Sequence, residues 1–318
     1  MSNNISLAIP QFGGPEVLTA VNRPIPSPSE EQVLIQVKAA GVNPIDAKTR
    51  AGHGWAAEHN QDKLPWVPGY DVAGVVVANG TNESKFDVGD RVAGMIGFPT
   101  DGGGYSQYVV ADAGLLSTVP PSVPMVDAAA LPLAGLTAWQ ALEHAQLRVD
   151  EKVLILAGAG GVGHLAVQLA VRTGANVYAT ASPSNHDFLR QLDAKPVDYH
   201  QTHWATAHGE FDVLIDLVGG ETGIDALASL RTGGRVVTVP TNTRDMITSA
   251  AAERGLKATG MLVEPNTWQT QRLLDMLDQG DLRIDIAAVY PLAEAAQAHI
   301  ALEDGHTRGK RVLEMPSA

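Results

Sequence analysis

The chain has 318 residues, 45% of them hydrophobic, and sets 22 basic against 35 acidic side chains for a net charge of −13. Such length points to two domains, and the acidity argues against a nucleic-acid partner or an anionic membrane surface. With no cysteine the chain excludes disulfides, thiolate nucleophiles and cysteine-based zinc sites. No apolar run is long enough to span a bilayer, and the N-terminus lacks the basic start and apolar core of a secretory signal, so a cytoplasmic location is expected.

Residues 1–120 read as β-rich, built from short runs punctuated by Gly and Pro. Gln32–Ala40 alternates, with Val33, Ile35 and Val37 on one side; Val72–Ala78 and Tyr105–Val110 are further strands. Turn-forming clusters at Pro24–Pro28, Gly52–Gly54 and Asp101–Gly104 separate them, and Pro120, Pro121 and Pro124 mark the passage to a second domain. There Met125–Ala130 and Thr137–Ala145 read as helices. Strands follow at Val153–Leu156, Val177–Thr180, Val197–Tyr199, Phe211–Val218, Arg235–Val239 and Thr259–Val263. Between them Ser182–Pro183 caps a helix carrying Phe188, Leu189 and Leu192, and Gly223–Leu230 and Thr267–Gln279 are further helices. This alternation predicts a doubly wound parallel sheet. A last helix, Leu292–Glu303, and strand, Arg311–Glu314, are expected to fold back onto the first domain. That domain is then discontinuous, 1–122 with 283–318, around a domain of 123–282.

The chemistry is announced at Lys152–Gly163, KVLILAGAGGVG. An apolar strand breaks into Gly158, Gly160 and Gly163 at G-x-G-x-x-G spacing, with Gly161 and Val162 inside the turn. A helix follows, with Leu165 and Leu169 beside Ala166 and Ala170, and Gly174 at its left-handed cap. Strand, glycine turn and helix N-terminus together make a dinucleotide site, because backbone N–H groups and the helix dipole receive a pyrophosphate.

Read with AGAGGVG, the segments GVNPIDAKTRAG (41–52), VPGYDVAGVV (67–76), GDRVAG (89–94), GGYSQYVV (103–110) and GHTRGKRVLE (305–314) carry a family likeness. In order and over essentially the whole chain they resemble the medium-chain dehydrogenase/reductase superfamily. Within it, they resemble the zinc-free quinone oxidoreductase branch related to zeta-crystallin. The resemblance implies an α/β protein: a Rossmann doubly wound parallel sheet plus a β-rich GroES-like catalytic domain, with a cofactor in the cleft between them. The departures from zinc alcohol dehydrogenases are equally informative. Asn43 stands where zinc members place a cysteine after G-[IV], and Tyr70, in GYD, where they have the histidine of G-H-E. Of the pattern positions only Asp46 and Asp71 are acidic, a poor set for zinc, which needs about three protein ligands. His200, His203 and His208 fall outside the pattern and read as loop histidines, so no metal site is expected.

By the same resemblance Asn43 lies near the nicotinamide and donates to a substrate oxygen. Tyr70 does likewise or packs as an aromatic under the cofactor, and Asp46 orders its own loop through Asx-type hydrogen bonds. Thr137 matches a threonine near the nicotinamide-side phosphate, Lys310 a lysine close to the cofactor, and Val218 joins the cofactor-binding set. An NAD site carries Asp or Glu about 20 residues past the glycines. Here Ala179–Ser182 holds no acid, while Ser182, Asn185 and His186 offer donors to a 2′-phosphate, and Tyr199 matches a family tyrosine near it. NADPH is the expected cofactor.

The leading expectation is therefore an NADPH-dependent, zinc-independent reductase of quinones or α,β-unsaturated carbonyls. The alternatives are a zinc-free alcohol or aldehyde oxidoreductase and a non-catalytic NADPH-binding protein. A homodimer is expected, paired through a sheet edge near Thr259–Val263.

Overall fold

β1 (Asn3–Ala8) and β2 (Thr19–Pro24) pair antiparallel as a ribbon ahead of β3 (Gln32–Val42), an 11-residue strand. The structure, a computed structural model, describes residues 3–82, 84–305 and 308–316. On β3 the expected alternation holds at Val33, Ile35 and Val37, all buried. Beyond the irregularity at Val37/Ala39 it gives way to a wholly buried end, Ala39–Val42. Two short helices follow that no apolar periodicity announces, α1 (Pro44–Arg50) and α2 (Trp55–Asn60). α1 begins from Asn43 as N-cap, with Pro44 in its first position and Asp46 in its first turn, a recognised start signal.

β4 (Asp71–Asn79), β5 (Arg91–Met95), β6 (Tyr108–Asp112) and β7 (Leu116–Thr118) come next. The strand expected at Tyr105–Val110 starts three residues later, because the Tyr105 backbone bonds instead to Leu7 and Pro68 at 2.8 and 3.0 Å. The chain continues through α3 (Met125–Ala130), α4 (Pro132–Ala145), β8 (Lys152–Ile155), α5 (Gly163–Arg172), β9 (Asn176–Ala181) and α6 (His186–Gln191). β10 (Lys195–Asp198), β11 (Phe211–Asp216), α7 (Gly220–Ala226), β12 (Leu230–Thr238), α8 (Arg244–Glu253) and β13 (Lys257–Gly260) complete the α/β region. Last come α9 (Thr267–Asp278), β14 (Ile286–Pro291), α10 (Ala295–Glu303) and β15 (Lys310–Glu314).

The chain divides into two units, Met1–Leu133 with Pro265–Ala318, and Ala134–Glu264. In the second, six parallel strands among the described residues run in the order β10-β9-β8-β11-β12-β13, the 3-2-1-4-5-6 order of a Rossmann sheet. β8 is apolar on both faces, as a strand covered on both sides must be: Val153, Leu154 and Ile155 are all buried. In the first unit the sheet order is β14-β15-β3-β4-β5-β7, with β6 also on β3. Its core gathers Val33, Ile35, Val72, Val92, Leu116 and Leu313.

α9 was expected among the Rossmann helices and instead belongs to the first unit. Its N-terminus is bonded to β7: Ser117 Oγ donates to the Thr267 carbonyl at 3.0 Å, and Gln271 Oε1 accepts from the Thr118 N–H at 3.0 Å. Helical periodicity shows which face is apolar but not which sheet receives it. Among the described residues no helix is long and apolar enough to cross a membrane.

Candidate active site

The antiparallel register of the first unit brings three distant segments to one point. β4 and β15 flank β3, with Gly41 opposite Asp71 and Val42 opposite Arg311. The starts of both strands therefore meet the end of β3, where Asn43 caps α1. Asn43 Nδ2 donates to Asp71 Oδ2 at 2.8 Å, and the Lys310 ammonium donates to Asn43 Oδ1 and, at 3.2 Å, to the Val42 carbonyl. Asp71 Oδ1 accepts from the Leu133 N–H at 2.8 Å. Asp46 accepts from two backbone N–H groups, Asn43 at 2.8 Å and Gly69 at 3.1 Å. All four side chains are buried, Lys310 included at 4% exposure.

Burial pushes the Asp46 carboxyl up to about 7, helped by the charge of Asp71 and opposed by the two N–H groups and Lys310. Burial also pushes Asp71 up to about 6 against the pull of Lys310 and Asn43. Lys310 is lowered by burial and held up by both acids. The cluster is thus a buried network of two acids, one amide and one ammonium.

Tyr70 is buried between Trp66 and Phe98, with ring centroids 6.1 and 5.3 Å away, and its hydroxyl donates to the Pro99 carbonyl at 3.1 Å. A phenol has one hydrogen to give. Of its two expected roles, donor or packed aromatic, this geometry favours packing.

In the second unit β8 runs through a tight turn into α5. A Cβ at Gly158 would stand 2.4 Å from Ala179 Cβ, and one at Gly163 2.1 Å from the Ala157 carbonyl oxygen, so only glycine fits either place. The turn is braced by a residue its motif does not contain. Thr180 Oγ1 accepts from the Ala157 N–H at 2.9 Å and its carbonyl from the Gly158 N–H at 2.8 Å. His164 Nδ1 lies 2.8 Å from the Gly160 carbonyl. Gly160, Gly161 and Val162 complete the loop into the helix, where the His164 N–H donates to the Gly160 carbonyl at 3.0 Å and those of Leu165 and Ala166 donate to the Val162 carbonyl at 3.2 and 3.0 Å. A bare backbone turn at a ten-residue helix N-terminus fits the pyrophosphate of a dinucleotide. Gly174 has φ +80°, the left-handed conformation expected at that helix end.

Past β9, Ser182 Oγ pairs with Ser184 Oγ at 3.0 Å and accepts from Asn185 Nδ2 at 3.3 Å, while His186 Nε2 lies 3.3 Å from the Ala181 carbonyl. Ser182 and Asn185 thus form one small polar group, with His186 set against the neighbouring Ala181 carbonyl. Arg190, the nearby cation, is paired with Asp187 at 2.6 Å. Tyr199 lies against His200 with ring centroids 4.2 Å apart and planes tilted by 41°, in the turn after β10. At the end of β11 the buried Asp216 accepts from Thr238 Oγ1 and from the N–H groups of Val218 and Gly219, at 2.8, 3.0 and 2.7 Å. Val218 is thereby held with its side chain 45% exposed. Thr137 is buried on α4.

The structure therefore groups Asn43, Asp46 and Lys310 in one unit, and the glycine turn, Ser182, Asn185 and His186 along the carboxyl ends of β8 and β9 in the other. Sequence reasoning missed Thr180 and Asp216, polar residues ending otherwise apolar strands, which is the one signal that could have found them. Among the described residues no group of three His, Cys, Asp or Glu is placed to hold a metal ion. His306 and Thr307 of the GHTRGKRVLE segment lie outside the described residues.

Comparisons with known proteins agree with this organisation. Residues 29–121 match the alcohol dehydrogenase GroES-like domain family and residues 192–313 the zinc-binding dehydrogenase family. The solved quinone oxidoreductase from Coxiella burnetii superposes with a TM-score of 0.96 at 39% identity, covering 99% of this chain and all of that one. The quinone oxidoreductase of Sus scrofa is 34% identical over 316 residues, 94% of this chain and 93% of its own. The NADPH-dependent alkenal/one oxidoreductase of Arabidopsis thaliana chloroplasts is 33% identical over 313 residues, 95% of this chain and 77% of its own.

Proposed function

Because the chain belongs to the quinone oxidoreductase branch of the medium-chain dehydrogenase/reductase superfamily, we propose that it is an NADPH-dependent, zinc-independent reductase of quinones and α,β-unsaturated carbonyls. Bound NADPH supplies a hydride. The chain supplies the place where negative charge is received on the acceptor oxygen. Asn43 gives one amide N–H to Asp71 and keeps a second for that oxygen, while Lys310 holds the amide carbonyl and so decides which way the N–H groups face. One neutral donor of this kind stabilises a developing oxyanion by about 2.7–4 kcal/mol. A plain ketone concentrates its charge on one oxygen and needs more. A conjugated acceptor spreads the charge, and solvent protonates it afterwards.

The observation that carries this reading is the buried Lys310–Asn43–Asp71 chain, with Asn43 at the position where the resemblance puts a cysteine ligand in zinc members. Both oxygens of Asp46 are taken by backbone N–H groups, and no cysteine exists to complete a zinc site. The choice of NADPH is supported by the acid-free end of β9, by Ser182 and Asn185 with His186 beside them, and by the NADPH dependence in the name of the Arabidopsis relative. We take the enzyme to be a cytoplasmic homodimer paired through the outer edge of β13; light scattering at micromolar concentration giving a monomer would remove that part.

The decisive experiment is a panel of acceptors with NADPH and NADH. Quinones and enones are expected to exceed saturated ketones of similar size in kcat/KM, with NADPH preferred. A saturated ketone equal to the best quinone would sink the mechanism.

A further inference from the structure

The glycine turn of the second unit is followed by a side chain that its G-x-G-x-x-G spacing does not call for. His164, the second residue of α5, is fully buried. Its Nδ1 lies 2.8 Å from the Gly160 carbonyl oxygen, and its own backbone N–H donates to the same oxygen at 3.0 Å. A carbonyl oxygen only accepts, so the hydrogen of the Nδ1 contact belongs to the imidazole. Both lone pairs of the Gly160 oxygen are then taken by one residue. The ring also lies against Phe188 of α6, with centroids 6.4 Å apart and planes tilted by 39°.

This double bond to one oxygen decides where the next N–H faces. The peptide between Gly160 and Gly161 is planar and trans, so its C=O and N–H point in opposite directions. With the carbonyl drawn toward α5, the Gly161 N–H faces away from the helix, into the space ahead of it. Two successive glycines leave such a peptide free to rotate unless something holds it. Thr180 does not: it braces the front of the turn, at Ala157 and Gly158. The Gly160 N–H is spent on the Ala157 carbonyl at 2.9 Å, whereas the N–H groups of Gly161, Val162 and Gly163 donate to no group among the described residues. These are the donors left for an anion at the start of α5.

We propose that His164, through an Nδ1–H, fixes the Gly160–Gly161 peptide so that the Gly161 N–H is presented to the pyrophosphate that NADPH and NADH share. His164 is then a positioning residue, which holds the turn and not the cofactor. Its effect on binding rests on the nucleotide site of the reading above; the hydrogen on Nδ1 does not.

Two substitutions separate the hydrogen bond from the packing. His164→Asn keeps an amide N–H near the place of Nδ1 and gives up the ring, while His164→Leu keeps an apolar body against Phe188 and gives up the donor. Fluorescence titration without any acceptor should find His164→Leu weakened by about tenfold for NADPH and NADH alike, and His164→Asn within about threefold of the wild type. A packing role predicts the opposite order, so His164→Leu binding as well as His164→Asn overturns the proposal, as does a loss confined to NADPH. If His164→Leu does not fold, His164→Ala takes its place in the same comparison. Nitrogen NMR of the full-length wild type, with the His164 ring assigned through its own backbone, reads the bond directly: a protonated Nδ1 is expected, and a bare Nδ1 refutes it. A chain that binds both nucleotides in this order but reduces no acceptor would refute the proposed function alone. An active reductase with a bare Nδ1 would refute this proposal alone, and a chain that binds neither nucleotide would remove both.

Discussion

Lys310 and Asn43, 267 positions apart in the chain, meet in a buried hydrogen bond from ammonium to amide oxygen at the end of β3. The bond ties the last strand of the first unit to the cap of its first helix. Together with the bond from Asn43 Nδ2 to Asp71, it sets the orientation of an amide whose two ends are chemically opposite.

Lys310→Met tests that contact. The methionine stem fills similar space but leaves Asn43 Oδ1 and the Val42 carbonyl without their donor, at about 1–3 kcal/mol for each buried acceptor. Denaturant unfolding should show this loss. If the lysine orients Asn43, kcat should also fall at least tenfold with a smaller change in KM; an unchanged kcat would reduce Lys310 to a structural role.

Asp46 and Asp71 should give the fold an inverted pH dependence. Both carboxyls are raised in the folded protein, to about 7 and about 6, above the ordinary 3.8 they resume on unfolding. Between these values the folded state binds more protons than the unfolded state, so their contribution to stability falls as pH rises from about 4 to 7. Asp46→Asn removes part of that slope while lowering stability overall, since the amide can accept only one of the two backbone N–H bonds. Unfolding free energies across this range for both proteins check the sign; equal slopes would contradict it.

Gly158→Ala should weaken nicotinamide nucleotide binding at least tenfold, because its Cβ would stand 2.4 Å from Ala179 Cβ and push the turn away from β9. Adding Ala179→Gly removes the opposing atom. The double variant should recover part of the affinity in a fluorescence titration, and a double variant no better than the single would place the fault elsewhere.

Ser182→Asp sets a carboxylate in the small polar group formed with Asn185. It should lower kcat/KM for NADPH and raise it for NADH, since the acid repels a 2′-phosphate and accepts from ribose hydroxyls. A wild-type enzyme that already prefers NADH would show that the acid-free strand end was misread.

Elemental analysis of the purified protein should find zinc well below one per chain, and chelators should leave activity unchanged. One zinc per chain with activity lost on chelation would require a ligand set that Asn43, Asp46 and Asp71 do not offer in their present bonds.

The second unit was largely legible in the chain. Its apolar strands, its glycine spacing and the left-handed Gly174 are local signals, and a doubly wound sheet follows from their alternation alone. The first unit was only partly so. α1 lacks an apolar stripe and was announced only by Asn43, Pro44 and Asp46. β5 and β14 were too short or too mixed to stand out, and β14, Ile286–Pro291, alternates half-buried and exposed residues.

Asn43 and Asp46 were marked by the segment 41–52, and Lys310 by 305–314, whose patterns carry the family likeness. What they do to one another was decided by the antiparallel register that sets β4 and β15 on either side of β3. Thr180 under the glycine turn and Tyr105 against His299 were decided in the same way, by strands and helices meeting across long stretches of chain. Local sequence determines φ and ψ preferences, caps and apolar faces. The partner of a buried polar group is set by which distant segment the packed core brings within hydrogen-bond reach, and that information exists only in the folded chain.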